Sequence, residues 1–250
     1  MALRINTNVA ALNAHAQLIK TESAQNSSMA KLSSGYRIST AGDDASGLAV
    51  ANGLRSRVRS LEAAAQNTVS AKAGLAIADG TANQIELILE RMTTISTSGG
   101  SEATAEMTQL RAEIDRIANS TPASGGTIQV GTDATSVSQI TVTIGAMTCA
   151  GLGLTANTAE PASIANIQVA QTALNAIVGN IGAGMNRLEF AYNNLQTQIV
   201  NVSAQESAIR DVDMASEMVN FTKSQIMLQA GTAMLAQANM SSQSILSLFQ

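Results

Sequence analysis

The stretch 174-LNAIVGNIGAGMNRLEFAYNNLQTQIVNV-202 decides the fold. Leu174, Val178, Ile181, Met185, Leu188, Tyr192, Leu195, Ile199 and Val202 follow one another in alternating steps of four and three. A helix turns once in about 3.6 residues, so these side chains share one face. The unbroken alternation is that of a coiled-coil seam, which needs a second helix to cover it. A half-buried strand would show period two instead.

Working outward, the same spacing recurs in shorter pieces. Ile5, Val9, Leu12, Ala16 and Ile19 step by four and three near the start. Tyr36 to Gly42 breaks the pattern, and Asp43 and Asp44 stand where a new helix begins, facing its free N–H groups and dipole. Leu54, Val58, Leu61 and Ala65 resume a seam, and Ile85, Ile88, Met92 and Ile95 carry another. Gly99-Gly100 ends it, and a shorter helix is expected from 103 to 118. The middle differs in kind. Pro122 and Pro161 bracket a stretch whose only charges are Asp133 and Glu160. Within it Ile140 to Ile144 alternates with period two, and Thr127 to Val130 is its expected partner in a small hairpin.

Beyond the decisive stretch, Arg210 to Asp213 interrupts, and a last helix is expected from Met214 to Leu248. Phe221, Leu228 and Leu235 form one stripe on it; Val219, Ile226, Ala233 and Met240 form another. A surface helix with one partner needs one apolar face, so this one should have more than one partner. The fold class that follows is mainly α: a long antiparallel, coiled-coil-like bundle with paired terminal helices and a small β-hairpin region in the middle.

Composition narrows the function. A net charge of -4 and 2% aromatic residues argue against nucleic-acid binding, which wants a basic face and stacking rings. No apolar run approaches the ~20 residues that span a bilayer, and the first residues lack the apolar block of a cleaved signal. Cys149 is the only cysteine and His15 the only histidine, which leaves no multi-thiolate or two-histidine metal site within one chain. His15 has Asn13 and Gln17 as its nearest polar neighbours in sequence and reads as solvated rather than catalytic. Cys149 has no Lys, Arg or His beside it in sequence and reads as a packing residue. Arg55, Arg57 and Arg59, followed by Glu62, read as a solvated face. No phosphate loop, dinucleotide fingerprint or zinc helix motif is present. The expectation is a protein that is not an enzyme and takes no cofactor.

The segments 4-RINTNVAALNA-14 and 32-LSSGYRISTAGDDASGLAVANGLRS-56, with 182-GAGMNRLEFAYNNL-195, 207-SAIRDVDMASEM-218 and 225-QIMLQAGTAMLAQAN-239, resemble the two terminal signatures of bacterial flagellins. The resemblance implies a structural subunit that self-assembles into the helical flagellar filament used for swimming. A hook–filament junction protein and a cytoplasmic helical scaffold are the alternatives. It implies an inner core domain from residues 1–33 and 207–250 and a spoke at 34–45 with Gly35, Tyr36, Arg37, Asp43 and Asp44. It implies an outer core domain from 46–120 and 161–206, and a short variable hairpin region at 121–160. Ile5, Val9, Leu12, Phe221, Leu228 and Leu235 become the expected filament-packing residues, and Leu174 to Ile199 the outer-core seam. The implied partners are copies of itself, the flagellar type III export apparatus, an export chaperone at the C-terminal helix, and the filament cap and junction proteins. Arg91, Ile95 and Glu106 match the contact region for Toll-like receptor 5. The implied location is extracellular, in the flagellum, reached without a cleaved signal peptide.

Overall fold

The computed structural model describes residues 8–98, 103–120, 126–132, 138–154 and 164–247. Among the described residues five helices and two strands follow in order: α1 (Val9–Ser34), α2 (Ala45–Ser98), α3 (Ala103–Ser120), β1 (Gly126–Gln129), β2 (Gln139–Val142), α4 (Ile164–Arg210) and α5 (Met214–Ser247). The chain is mainly α, with one small sheet, as the spacing predicts. It divides into two units, residues 1–55 with 203–250, and residues 56–202.

In the unit of residues 56–202, α2 and α4 supply the core. Leu75, Ala78, Ala82, Ile85, Leu89 and Met92 on α2 recur at steps of three and four, as do Ile167, Ala170, Leu174, Ile177 and Ile181 on α4, with Leu188 a further seven residues on, and all join one buried cluster. Met107 and Ile114 of α3 complete the helical part. Strands β1 and β2 pair antiparallel with Thr127 opposite Thr141 and Ile128 opposite Ile140. The expected second strand ran to Ile144, but pairing stops at Val142. Val142 packs where α4 has no side chain: a Cβ on Gly184 would lie 2.9 Å from its Cγ1. After the hairpin, Met147, Cys149, Leu152 and Leu154 also enter the cluster, and Arg111 donates to the Leu154 carbonyl at 2.6 Å.

The other unit is a helix pair. Asn8 Nδ2 donates to the Ala238 carbonyl at 3.0 Å near one end, and Val212 N donates to the Gly35 carbonyl at 3.0 Å near the other. Helices α1 and α5 therefore run antiparallel along each other. Asn8 also caps α1, its side chain accepting from Ala11 N. Gly35 ends the helix with φ 74°, the left-handed geometry that glycine adopts without strain.

Candidate functional site

Two features of the terminal unit stand out, a joint and a set of open helix faces. At the joint the two helix breaks pair with each other. Tyr36 and Asp211 form an antiparallel bridge, Arg37 N donates to the Arg210 carbonyl at 2.7 Å, and the Arg37 guanidinium reaches the Ile209 carbonyl. Ile38 is buried beside this ladder.

The two aspartates divide the work. Asp44 caps α2, its Oδ1 accepting from Gly47 N at 2.9 Å and Ser46 Oγ at 2.8 Å. The Gly47 N–H is the largest cause that lowers its pKa. Asp43 instead ties the preceding turn, Oδ2 accepting from Thr40 N at 2.9 Å, Ser39 N at 3.0 Å and both hydroxyls. These donors, the Thr40 N–H first, lower its carboxyl pKa to about 2.

Sequence reasoning missed the charged cluster beside this turn. Arg55 pairs with Glu206 at 3.0 Å, which corrects its reading as part of a solvated face; Arg57, Arg59 and Glu62 are exposed as expected. Glu206 is also 3.9 Å from Arg210. The Arg210 guanidinium lies over the Tyr36 ring, 4.1 Å from its centroid. Its Nε and Nη1 are inaccessible and make no hydrogen bond. The stack and the distant carboxylate are thus what offsets the burial of that cation. No local spacing rule links position 36 with position 210, so nothing in the sequence pattern pointed to the stack.

The helix faces of α1 and α5 are covered unequally. On α5, Phe221, Leu228 and Leu235 are half-buried, in one row with buried Ser224. On α1 the row that turns inward is Ala11, Ala14, Leu18, Thr21, Gln25 and Ser28, with Thr21 and Ser28 buried. The apolar row that includes the expected filament-packing residues faces out: Val9 is 54% and Leu12 60% exposed, and Ile19 is exposed too. Ile5 lies outside the described residues. Within the chain, then, Val9 and Leu12 do not meet the Phe221 stripe. The reason is size. A row containing Phe and Leu is complemented by small residues, and Leu18 in turn rests where Gly231 has no side chain, 3.3 Å from the position of a Cβ. Buried hydroxyls are tolerated because Thr21 and Ser224 donate to carbonyls four residues earlier in their own helices. The second α5 stripe is open, with Val219 65%, Ile226 66% and Met240 62% exposed.

The other sequence candidates lie in the unit of residues 56–202. Of the seam, Leu174, Ile181, Leu188 and Leu195 are buried, while Val178, Met185, Tyr192 and Ile199 are half-buried. Around Leu174–Leu188 the fully covered second row sits one residue earlier, at Ile177 and Gly184. Arg91 donates to Glu106 through Nε at 3.0 Å and Nη2 at 2.8 Å, and both side chains stay about half exposed. Ile95 is buried in the core cluster. Cys149 is buried; its N–H donates to Asp115 and its thiol to the Arg111 carbonyl. Desolvation pushes that thiol up to about 11, the opposite of an activated nucleophile. His15 is exposed. Among the described residues no three His, Cys, Asp or Glu side chains gather to hold a metal, and no helix is long and apolar enough to cross a membrane.

Comparison with known proteins returns two family matches. The N-terminal helical region of bacterial flagellin matches residues 5–126, and the C-terminal helical region matches residues 164–249. The hairpin falls between them. Among curated proteins, the chain is 36% identical to the flagellar filament 33 kDa core protein of Treponema phagedenis, covering 98% of this chain and 99% of that one. It is 35% identical to flagellin of Bacillus subtilis, covering 99% and 100%. It is 34% identical to the flagellar filament 31.3 kDa core protein of Treponema maltophilum, covering 98% and 99%.

Proposed function

We infer that this chain, which belongs to the bacterial flagellin family, is a structural subunit of the flagellar filament. The observation that carries the reading is one of position. The ends of the chain that match the family's two helical regions are also where Val9, Leu12, Val219, Ile226 and Met240 stand uncovered. Apolar rows of this kind are covered when identical chains associate, and association then stabilises the ordered helices. The work of the protein is structural rather than catalytic, and no observation favours a junction protein or a cytoplasmic scaffold.

In the finer reading, residues 1–33 and 207–250 form the inner core domain and 34–45 the spoke. Residues 46–120 and 161–206 form the outer core domain, and 121–160 the variable hairpin region. Because Phe221, Leu228 and Leu235 already face α1, contacts between copies fall to Val9 and Leu12 on α1 and to Val219, Ile226 and Met240 on α5. The subunit passes through the type III export apparatus with its N-terminus intact and works outside the cell. An export chaperone holds α5 beforehand, and cap and junction proteins bound the polymer. A Toll-like receptor 5 contact runs through Arg91 and Glu106 with Ile95 supporting them from beneath; unchanged receptor activation by Arg91→Ala would remove that assignment.

Seeded polymerisation tests the main conclusion. Purified chain added to sheared fragments of its own filament should elongate them, as seen by sedimentation and electron microscopy. A chain that stays in the supernatant at every concentration overturns the reading.

A further inference from the structure

Phe190 is the most exposed large apolar side chain among the described residues, at 74%. It closes a row on α4, Val169, Ala176, Ala183 and Phe190, in steps of seven, all exposed. That row lies two residues on from the buried row Ile167, Leu174, Ile181 and Leu188, hence about 200° around the helix. The core of this unit is complete without it.

At the same level of the unit, between α2 and α4, is a groove of about 460 Å³ lined by Val69, Ala73, Ala76 and Tyr192. Lys72 and Glu189 form an ion pair at 3.0 Å on its rim. On α2 the residues Val69, Ala73, Ala76 and Gly80 are spaced four, three and four, and all are exposed. Small residues at that spacing leave a hole, and an aromatic side chain on a facing helix is the matching knob. Phe190 cannot fill this groove itself, since it stands in solvent.

We propose that Phe190 of one copy seats in the Val69–Ala73–Ala76 groove of a neighbouring copy in the filament. The proposal rests on the filament reading above. Knob and hole occupy different places on the unit, so the contact is heterologous. Such a contact repeats from copy to copy, whereas a self-complementary patch closes after two. A lone aromatic anchor with a polar rim around its pocket is also the usual form of an interface hot spot. A second copy is the occupant the chemistry favours: the groove is apolar at its floor, and its rim charges are already paired, so it asks for an uncharged aromatic group.

The test mixes two single variants, Phe190→Cys and Ala73→Cys, in a seeded assembly followed by mild oxidation. Covalent dimers should appear in the assembled mixture, and neither in the unassembled mixture nor in filaments of wild type, whose Cys149 is buried. Dimers from Phe190→Cys alone overturn the proposal, because they make the contact self-complementary. So does cross-linking to Ala176→Cys in place of Ala73→Cys, or assembly without any cross-link; in each of these the filament reading stands. Should the cysteine variants not assemble, Phe190→Ala and Ala73→Trp decide. Both should raise the critical concentration at least fivefold, with Phe190→Leu closer to wild type, and values within twofold for both overturn the contact. Failure of wild type to elongate seeds instead removes the filament reading.

Discussion

The two units of this chain bury different kinds of surface. In residues 56–202 the buried set is bulky and apolar, with Leu75, Ile85, Leu89, Met92, Ile181 and Leu188 all fully covered. In the terminal unit, among the described residues, only Ile38 and Ala51 are buried hydrophobics, and Thr21, Ser28 and Ser224 are the other buried side chains. The same unit leaves Val9, Leu12, Ile19, Val219, Ile226 and Met240 exposed. The unit of residues 56–202 builds a bulky core and still keeps Phe190 and Val69 outside it, whereas the terminal unit has almost no bulky core and leaves its apolar rows facing out. A helix pair zipped by alanine, serine and threonine gains little from burial, because burial is worth about 25 cal/mol per Å² of apolar area. Its ordering then depends on what arrives from outside.

The largest expected effect strikes the self-contained unit. Leu188→Asp places an unpaired carboxylate at a position that is 0% exposed, and the expected cost is about 4 kcal/mol or more. The melting midpoint by circular dichroism should fall by about 10 °C for a unit of this size. A midpoint equal to wild type would erase the contrast between the units.

The same chemical change on the open face should do the reverse. Ile226→Asp adds a charge to a residue that is 66% exposed, so monomer stability should move by no more than about 0.5 kcal/mol. Its critical concentration should nonetheless rise at least about tenfold, the equivalent of 1.4 kcal/mol lost at a contact between copies. Sedimentation against subunit concentration gives the ratio. Leu228→Ala lies between the two cases. It removes a half-buried side chain facing α1 and should loosen the helix pair by about 1–2 kcal/mol, less than a fully buried leucine would. Proteolysis of the monomer should then cut α1 and α5 faster and leave 56–202 resistant; equal cutting throughout would mean that the two units share one core.

These contrasts mark what could be read in advance. On α4 the buried Leu174, Ile181 and Leu188 keep the heptad spacing that the sequence shows, but the second covered row, Ile177 and Gly184, lies one residue before the Val178 and Met185 that spacing selects. The hairpin was legible because β-branched residues alternate at Ile140, Val142 and Ile144. The pairing face of α1 was not. There the apolar row is the outer one, and the inner row is chosen by size against Phe221 and Leu228, which is a property of two helices and not of one. Likewise the Tyr36–Arg210 stack joins residues remote in sequence, and the Arg55–Glu206 pair hides inside what looks like a surface charge run. Asp43 and Asp44 are adjacent in sequence, but their separate tasks depend on which N–H groups the turn happens to aim at each carboxylate.

That last difference supports the smallest and most local prediction. The Asp43 carboxyl titrates near 2 when folded and near 3.8 when free of its donors. A depressed folded value means that the ionised form is the one the turn stabilises. The contribution is therefore fully present above pH 3.8 and is lost as the pH falls through about 2. In nuclear magnetic resonance of the monomer, the amide signals of Ser39 and Thr40 should shift with an inflection near 2. Asp43→Asn should abolish that inflection while leaving the melting of 56–202 unchanged, since the carboxylate is at the surface of the terminal unit and touches only its own turn. An inflection near 3.8 would mean that the four donors do not hold Asp43 in solution. The joint would then owe its shape to the Arg37–Arg210 ladder alone, and the terminal unit would be looser than its hydrogen bonds indicate.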